Sequence, residues 1–441
     1  MGHRHPRTRA AHRHRTTRQR MTRAAVIILI AAMTLAGCTL GGDGAPHVVG
    51  TVKLGADLPL SGDDAPDGIP VKNAIELAIK QAGLVCGAAA HRDACVHLEA
   101  VIEDDVSQGI HDAAKGAQNV QRLAADGRVI GMVGPLYDSL AKSELPVANP
   151  AQLAMVSPAV TDECLTQEPA DGHCGGLAAR LRPGGGNTFF RVVTTQLDEG
   201  AAGADLAFRT LGKRQAVVMN DQSAFGQAVA RAFADRFARD GGTVIDPSDL
   251  GAFDPGQPPA FGTRVDRARA SGADVVYFAG SAILAAAALR REMAARMPQV
   301  PLIGTDRLAN SQFAKAAGAS ARGCYYTVVG PFPPRIHEAA SVSRAFKQAY
   351  GADLAPTSLA AFDATTLLID ALRRAIDDAG GKLPSRLQVL REVAKTTNYA
   401  GAMGMMSFDS HGDTSLKLVT VYQWLAATEP SGQVVAQLTV N

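Results

Sequence analysis

Beyond residue 47 the chain alternates short apolar, β-branched runs with longer stretches whose apolar positions recur at three and four. Residues 48–54 form the first run, and Val71, Ala74, Ile75, Ala78, Ile79 and Ala82 then mark one face of a helix. Val96, Leu98, Ala100 and Ile102 alternate with polar neighbours as a strand. Ile110, Ala113, Ala114, Ala117 and Ala124 return to the helical period. Strands are predicted at 129–133 and 153–156, around a helix at 139–148. After a crossover strand at 189–193 the cycle restarts. Helices at 198–211, 225–239, 261–270 and 282–297 alternate with strands at 216–219, 243–245, 275–279 and 302–303. Such alternation builds parallel sheets covered by helices on both faces. Two series, over a length beyond the reach of one core, predict an α/β fold of two doubly wound lobes with mainly parallel sheets. Ligands of such sheets bind outside the carboxyl ends of the strands, so chemistry is sought in the loops there.

Residues 21–38 depart from this pattern. Arg23 precedes an apolar run at 24–35, which is shorter than the roughly 20 residues a membrane span needs and has the layout of a secretory signal. Its ending, Leu35-Ala36-Gly37-Cys38, resembles a bacterial lipobox, in which the Cys38 thiol takes a lipid and becomes the first mature residue. The Gly-rich stretch at 41–44 then reads as a flexible tether. An ordinary signal with an incidental cysteine, or an uncleaved anchor, are the alternatives. The Arg-rich segment before Met21, with His3, His5, His12 and His14, reads as an extended positive start or an early start codon; metal or nucleic-acid binding is the alternative. Residues 1–37 hold eight arginines and no acid, so removing them leaves 36 basic and 42 acidic groups, a net of −6. A mildly acidic protein offers no general case for nucleic-acid binding.

The cysteines fit an oxidising compartment. Cys86 and Cys95 flank one short loop and Cys164 and Cys174 another, which reads as two local disulfides. There is no Cys-x-x-Cys spacing for zinc, and no metal site or cofactor is expected. Cys324, in a β-like run, reads as a buried free thiol. Catalytic signatures are missing as well: no Gly-x-Ser-x-Gly elbow, no Walker loop, and His337-Glu338 lacks a second histidine. No catalytic residues are assigned, and no enzyme activity is expected.

The strand-end loops carry the strongest signal. They are Pro59-Leu60-Ser61-Gly62, the segment Gly134-Pro135-Leu136-Tyr137-Asp138-Ser139, Ser157-Pro158-Ala159-Val160-Thr161, the segment from Asn220 to Gly226, Ala279-Gly280-Ser281 and Gly304-Thr305-Asp306. In order and spacing, with the Ala361-Phe362-Asp363-Ala364 helix and the turn from Met406 to Asp413, they resemble the Leu/Ile/Val-binding family of type I periplasmic binding proteins. The resemblance implies two lobes that close on one solute like a Venus flytrap. It divides the chain into a leader (1–37), a lipidated tether (38–47), lobe 1 (48–193 plus 329–403) and lobe 2 (194–328 plus 404–441). Crossovers are expected near 191–194, 327–330 and 403–407.

In that family an amino-acid carboxylate is held by hydroxyls and N–H groups of the loops that here contain Asp138, Ser139, Ala159 and Thr161. The ammonium is held by an acid matching Asp306, and aromatic rings pack from positions matching Phe225 and Ser281. This sequence departs from the pattern at several places: Asp138 replaces a small hydroxyl, Asp67 stands near the place of an aromatic, Ser281 replaces a ring, and Phe225 lacks a tyrosine hydroxyl. Asp138 beside a ligand carboxylate would be repulsive by several kcal/mol. Simple structural roles compete with ligand contact: Asp138 as a helix N-cap, Asp306 as a cap for a helix near Leu308, Asp67 as a solvated loop acid, Asp221 as a turn stabiliser and Phe225 as core. If Asp67, Asp138 and Asp306 all face the cleft, a cationic or multiply hydroxylated ligand is expected.

The resemblance implies a monomeric extracytoplasmic lipoprotein. It would capture a small polar solute, an amino acid or related amine, for the permease subunits of an ABC importer. A sensory module of the same fold coupled to a signalling partner is the alternative.

Overall fold

The computed structural model describes residues 46–169, 172–245, 251–254, 256, 260–426 and 432–441. The leader, the histidine-bearing start, Cys38 and the tether as far as residue 45 lie outside the described residues.

Two sheets organise the chain. In the first, β1 (His47–Leu58), β2 (Val85–Cys86), β3 (Ala94–Asp104), β4 (Val129–Val133), β5 (Ala154–Ser157) and β6 (Phe189–Arg191) lie in the order β2-β3-β1-β4-β5-β6. All neighbours are parallel except the short β2, which runs antiparallel to β3. The second contains β7 (Gln215–Asn220), β8 (Thr243–Ile245), β9 (Val275–Ala279), β10 (Leu302–Gly304), β11 (Tyr325–Val329), β12 (Leu418–Gln423) and β13 (Gln433–Thr439), in the order β8-β7-β9-β10-β11-β12-β13. Here β8 to β11 are parallel and the last two strands antiparallel. The α/β architecture of two wound lobes read from the alternation is therefore present. Strand order reverses between β1 and β4 and between β7 and β9, which makes those strand ends the natural ligand crevices.

Each sheet has its own core. Leu54, Ala56 and Leu58 of β1 pack with Leu367, Leu368 and Leu372 of helix Pro356–Asp378, whereas Phe278, Met293, Leu302 and Trp424 centre the second lobe. Pro356–Asp378 thus lies between β11 and β12 of the second sheet in sequence but builds the first lobe. Helix Ala65–Ala82 begins earlier than its apolar period indicates, because Pro66 fits the opening turn, where no intrahelical N–H bond is needed.

The last return to the second lobe comes later than residues 403–407. Met403, Met406 and Phe408 are buried in the first core, and the buried Asp363 carboxylate accepts N–H bonds from Ala402 and Met403 at 2.7 Å each. Burial pushes Asp363 up to about 6. Arg191, at the end of β6, is fully buried and donates from Nε to Asp413 Oδ1 at 2.6 Å. Only beyond this clamp does the chain enter β12.

Disulfides join Cys86 to Cys95 and Cys164 to Cys174. Cys324 is buried and free, with burial pushing its thiol up to about 12.

Candidate functional site

The strand ends of the two lobes meet around a cavity of ≈ 240 Å³. The first lobe supplies Leu136, Tyr137 and Asp138 after β4 and Ala159 and Thr161 after β5. The second supplies Glu199, Phe225, Asp306, Arg307, Val328 and Val329. Both lobes contribute apolar side chains and carboxyl groups: Leu136 and Asp138 from the first, Phe225, Val328, Val329, Glu199 and Asp306 from the second.

Local folding explains the first-lobe half. Gly134, at the end of β4, has φ 122°, and a Cβ there would lie 3.1 Å from the Asp57 carbonyl oxygen, so only glycine passes this turn. Helix Asp138–Ala148 follows. Its N-cap is Tyr137, which makes no side-chain capping bond, so Asp138 is not the cap that its position indicates. Instead Asp138 Oδ1 accepts the N–H of Thr161 at 3.1 Å and of Asp162 at 3.2 Å, on the loop after β5. The Ser157 hydroxyl oxygen accepts the preceding two N–H groups, from Ala159 at 3.2 Å and Val160 at 3.0 Å. Burial raises the Asp138 carboxyl above the ordinary range despite those N–H bonds.

Tyr137 is held from both sides. Its hydroxyl donates to Asp67 at 2.8 Å, and its ring stacks on His111 at 3.8 Å between centroids. Asp67 sits in the first turn of its helix and borders an adjoining cavity with Ala355, Thr357 and Ser358. It does not line the central one.

On the second lobe, Glu199 comes from helix Gln196–Asp205 and is 2% exposed. Its Oε1 accepts the Asp306 N–H at 2.8 Å and the Thr327 hydroxyl at 3.3 Å. Asp306 Oδ1 is closed off from solvent and accepts no hydrogen bond; Arg307 Nε lies 3.4 Å from it. Burial raises both carboxyls, and each is raised further by a neighbouring negative charge, Glu199 by Asp306 and Asp306 by Asp138 across the cavity. The N-cap of the turn that follows is Thr305, so Asp306 lies inside its first turn rather than capping it. Phe225 opens helix Ala224–Arg239 with Arg307 over its ring at 5.2 Å.

Asp138, Ala159, Thr161, Phe225 and Asp306 therefore share one cavity, whereas Ser139 and Ser281 are exposed and stand apart from it. Ser281 gives its N–H to Asp221 Oδ2 at 2.6 Å, and Asp221 Oδ1 accepts the Ser223 hydroxyl at 2.6 Å. Asp221 thereby ties together the loops after β7 and β9. The sequence reading missed Tyr137, Glu199 and Arg307. Glu199 alone left a trace, an acid among the small apolar residues Gly200, Ala201 and Ala202 of a buried helix face.

Two wound lobes with strand ends converging on one cavity define a two-lobed binding protein. Residues 51–429 match the family described as periplasmic binding protein, and the chain belongs to that family, whose members carry solutes without catalysis. Among curated relatives, a Leu/Ile/Val-binding protein homolog of Brucella suis biovar 1 is 24% identical over 379 residues, 85% of this chain and 90% of the relative. A leucine binding protein from Thermotoga maritima shares the fold with TM-score 0.61 at 22% identity, covering 88% of this chain and 99% of its own. An ABC transporter substrate-binding protein from Desulfitobacterium hafniense, solved in complex with Leu, aligns with TM-score 0.64 at 20% identity, covering 87% and 100%. Membership places the working chain outside the cytoplasm.

Proposed function

We propose that this protein captures a small amine-bearing solute, an amino acid or a related amine, and delivers it to the permease of an ABC importer. The observation that carries this reading is a cavity at the strand ends lined from both lobes, in which apolar side chains stand beside carboxyl groups. Its volume suits a solute of amino-acid size. The names of the relatives, which bind leucine, isoleucine or valine, support the same size and the same amine.

Asp306 and Glu199 are the proposed ammonium partners, and Phe225, Leu136, Val328 and Val329 the proposed apolar wall. Solute bound between the lobes would stabilise the closed arrangement by its differential contacts, and closure would present a surface to the permease. Lipid at Cys38 would hold the monomer at the outer face of the membrane, since multiple acyl chains anchor stably where one does not. Native mass spectrometry of the protein purified from its own cell extract tests the reading. A single bound species of small mass, released on denaturation and not chemically altered on rebinding, is the expected result. A protein that retains no small molecule and takes none up from the extract contradicts it.

A further inference from the structure

We infer that the solute is a small alkyl or aryl amine without a free carboxylate, because the protein's own Asp138 already occupies the anion position of the cavity. This inference rests on the solute-capture reading above and narrows its ligand class.

Four consecutive backbone N–H groups, from Ala159 to Asp162, turn through the loop after β5 where the cavity begins. Such a run of N–H groups is a ready anion cradle. Here every one is engaged from within the chain: Ala159 and Val160 by the Ser157 hydroxyl oxygen, Thr161 and Asp162 by Asp138 Oδ1. The first turn of helix Asp138–Ala148, which could otherwise attract an anion, carries the same Asp138 carboxyl. An incoming carboxylate would find these donors taken and a like group beside them.

The opposite wall asks for a cation. Asp306 Oδ1 is closed off without a hydrogen bond, and the almost wholly buried Glu199 carboxyl lies beside it, accepting the Asp306 N–H. A buried carboxyl oxygen of this kind is costly unless a donor meets it, and an ammonium brings three donors and the missing charge. Arg307, the one guanidinium among the described lining residues, is itself exposed and already faces Asp306 and the Phe225 ring. Leu136, Phe225, Val328 and Val329 then accept an apolar body rather than a second polar group.

The test compares three probes that share one isobutyl group: 3-methylbutylamine, with the amine alone; L-leucine, with both groups; and isovalerate, with the carboxylate alone. In titration calorimetry of the native chain at neutral pH, the amine is expected to bind at least about tenfold more tightly than leucine, and isovalerate not measurably. Asp138→Ser, which frees the Thr161 and Asp162 N–H groups, is expected to reverse the order of amine and leucine. Asp306→Asn, as an independent variant, is expected to weaken the amine about tenfold or more. Leucine or isovalerate bound more tightly than the amine by the native chain overturns the inference while leaving solute capture intact. No heat from any probe also overturns it, and native mass spectrometry on the same sample then reads separately whether a different solute is captured.

Discussion

Arg191 illustrates how one side chain can join distant parts of this fold. Its guanidinium is fully buried and reaches Asp413, the carbonyl oxygen of Asp162 at 2.9 Å and the hydroxyl of Thr166. Burial acts to raise Asp413, but the Arg191 charge and hydrogen bond outweigh it and hold the carboxyl below its ordinary range. Removing one partner of a buried pair strands the other charge, at a cost of about 3–5 kcal/mol. Arg191→Met is therefore expected to lower the free energy of urea unfolding by about that amount. Replacing both partners by apolar residues is expected to cost less than the single change, and equal or greater loss in the double variant would show that the pair is not acting as a unit. The clamp also fixes the loop that lines the cavity, since Val160 and Asp162 are its carbonyl partners.

At the scale of elements, the ends of β1 and β3 and helix Asp138–Ala148 bring three acids together in the first lobe. Asp57, Asp105 and Glu144 are all fully buried, next to Asn119, whose side-chain amide donates to Asp57 Oδ1 at 2.5 Å. Burial pushes Asp57 and Asp105 up to about 7 and raises Glu144 well above its ordinary value. A carboxyl that is raised on folding favours the folded state fully below its unfolded pKa, near 3.8, and that contribution is lost as pH rises through about 7. Thermal stability is accordingly expected to fall between about pH 5 and about pH 8, with acids such as Asp104 and Asp126, which are lowered, acting only at more acidic pH. Asp105→Asn is expected to flatten that slope and to stabilise the protein by about 1 kcal/mol or more at the alkaline end. A melting temperature independent of pH over this window, in both proteins, would contradict the assignment.

The same scale separates what the amino-acid pattern reveals from what it conceals. Strands such as β4 and β9, buried on both faces, read as continuous apolar runs because every position meets a helix layer. The short β2 carries too few residues for any period, and its pairing with β3 is set by the register that brings Cys86 beside Cys95. Loop positions were legible where a strand ends, so Asp138, Ala159, Thr161, Phe225 and Asp306 could be placed around one opening. Orientation was not. Whether Asp138 turns to its own helix or to the next loop depends on how closely β4 and β5 run together, which no local pattern contains. Tyr137 and Glu199 reach the cavity through tertiary packing, one held by Asp67 and His111 and the other buried against Thr327.

For the molecule as a whole, the arrangement ties capture to the relation between the lobes. Asp138 and the loop after β5 belong to one sheet, Glu199, Asp306 and Phe225 to elements of the other, and a solute touching both adds contacts that neither lobe offers alone. The Asp221 staple keeps the second-lobe loops in place while the lobes move, so binding is expected to change the angle between lobes more than their internal structure. Membership in the periplasmic binding protein family fits this division of labour between rigid halves and hinges.

Small-angle X-ray scattering of the full chain, without solute and then saturated with the solute identified by native mass spectrometry, tests capture by closure most directly. A smaller radius of gyration in the saturated sample, reached at the stoichiometry of one solute per chain, is the result this account predicts. Identical scattering curves with the cavity fully occupied would contradict it.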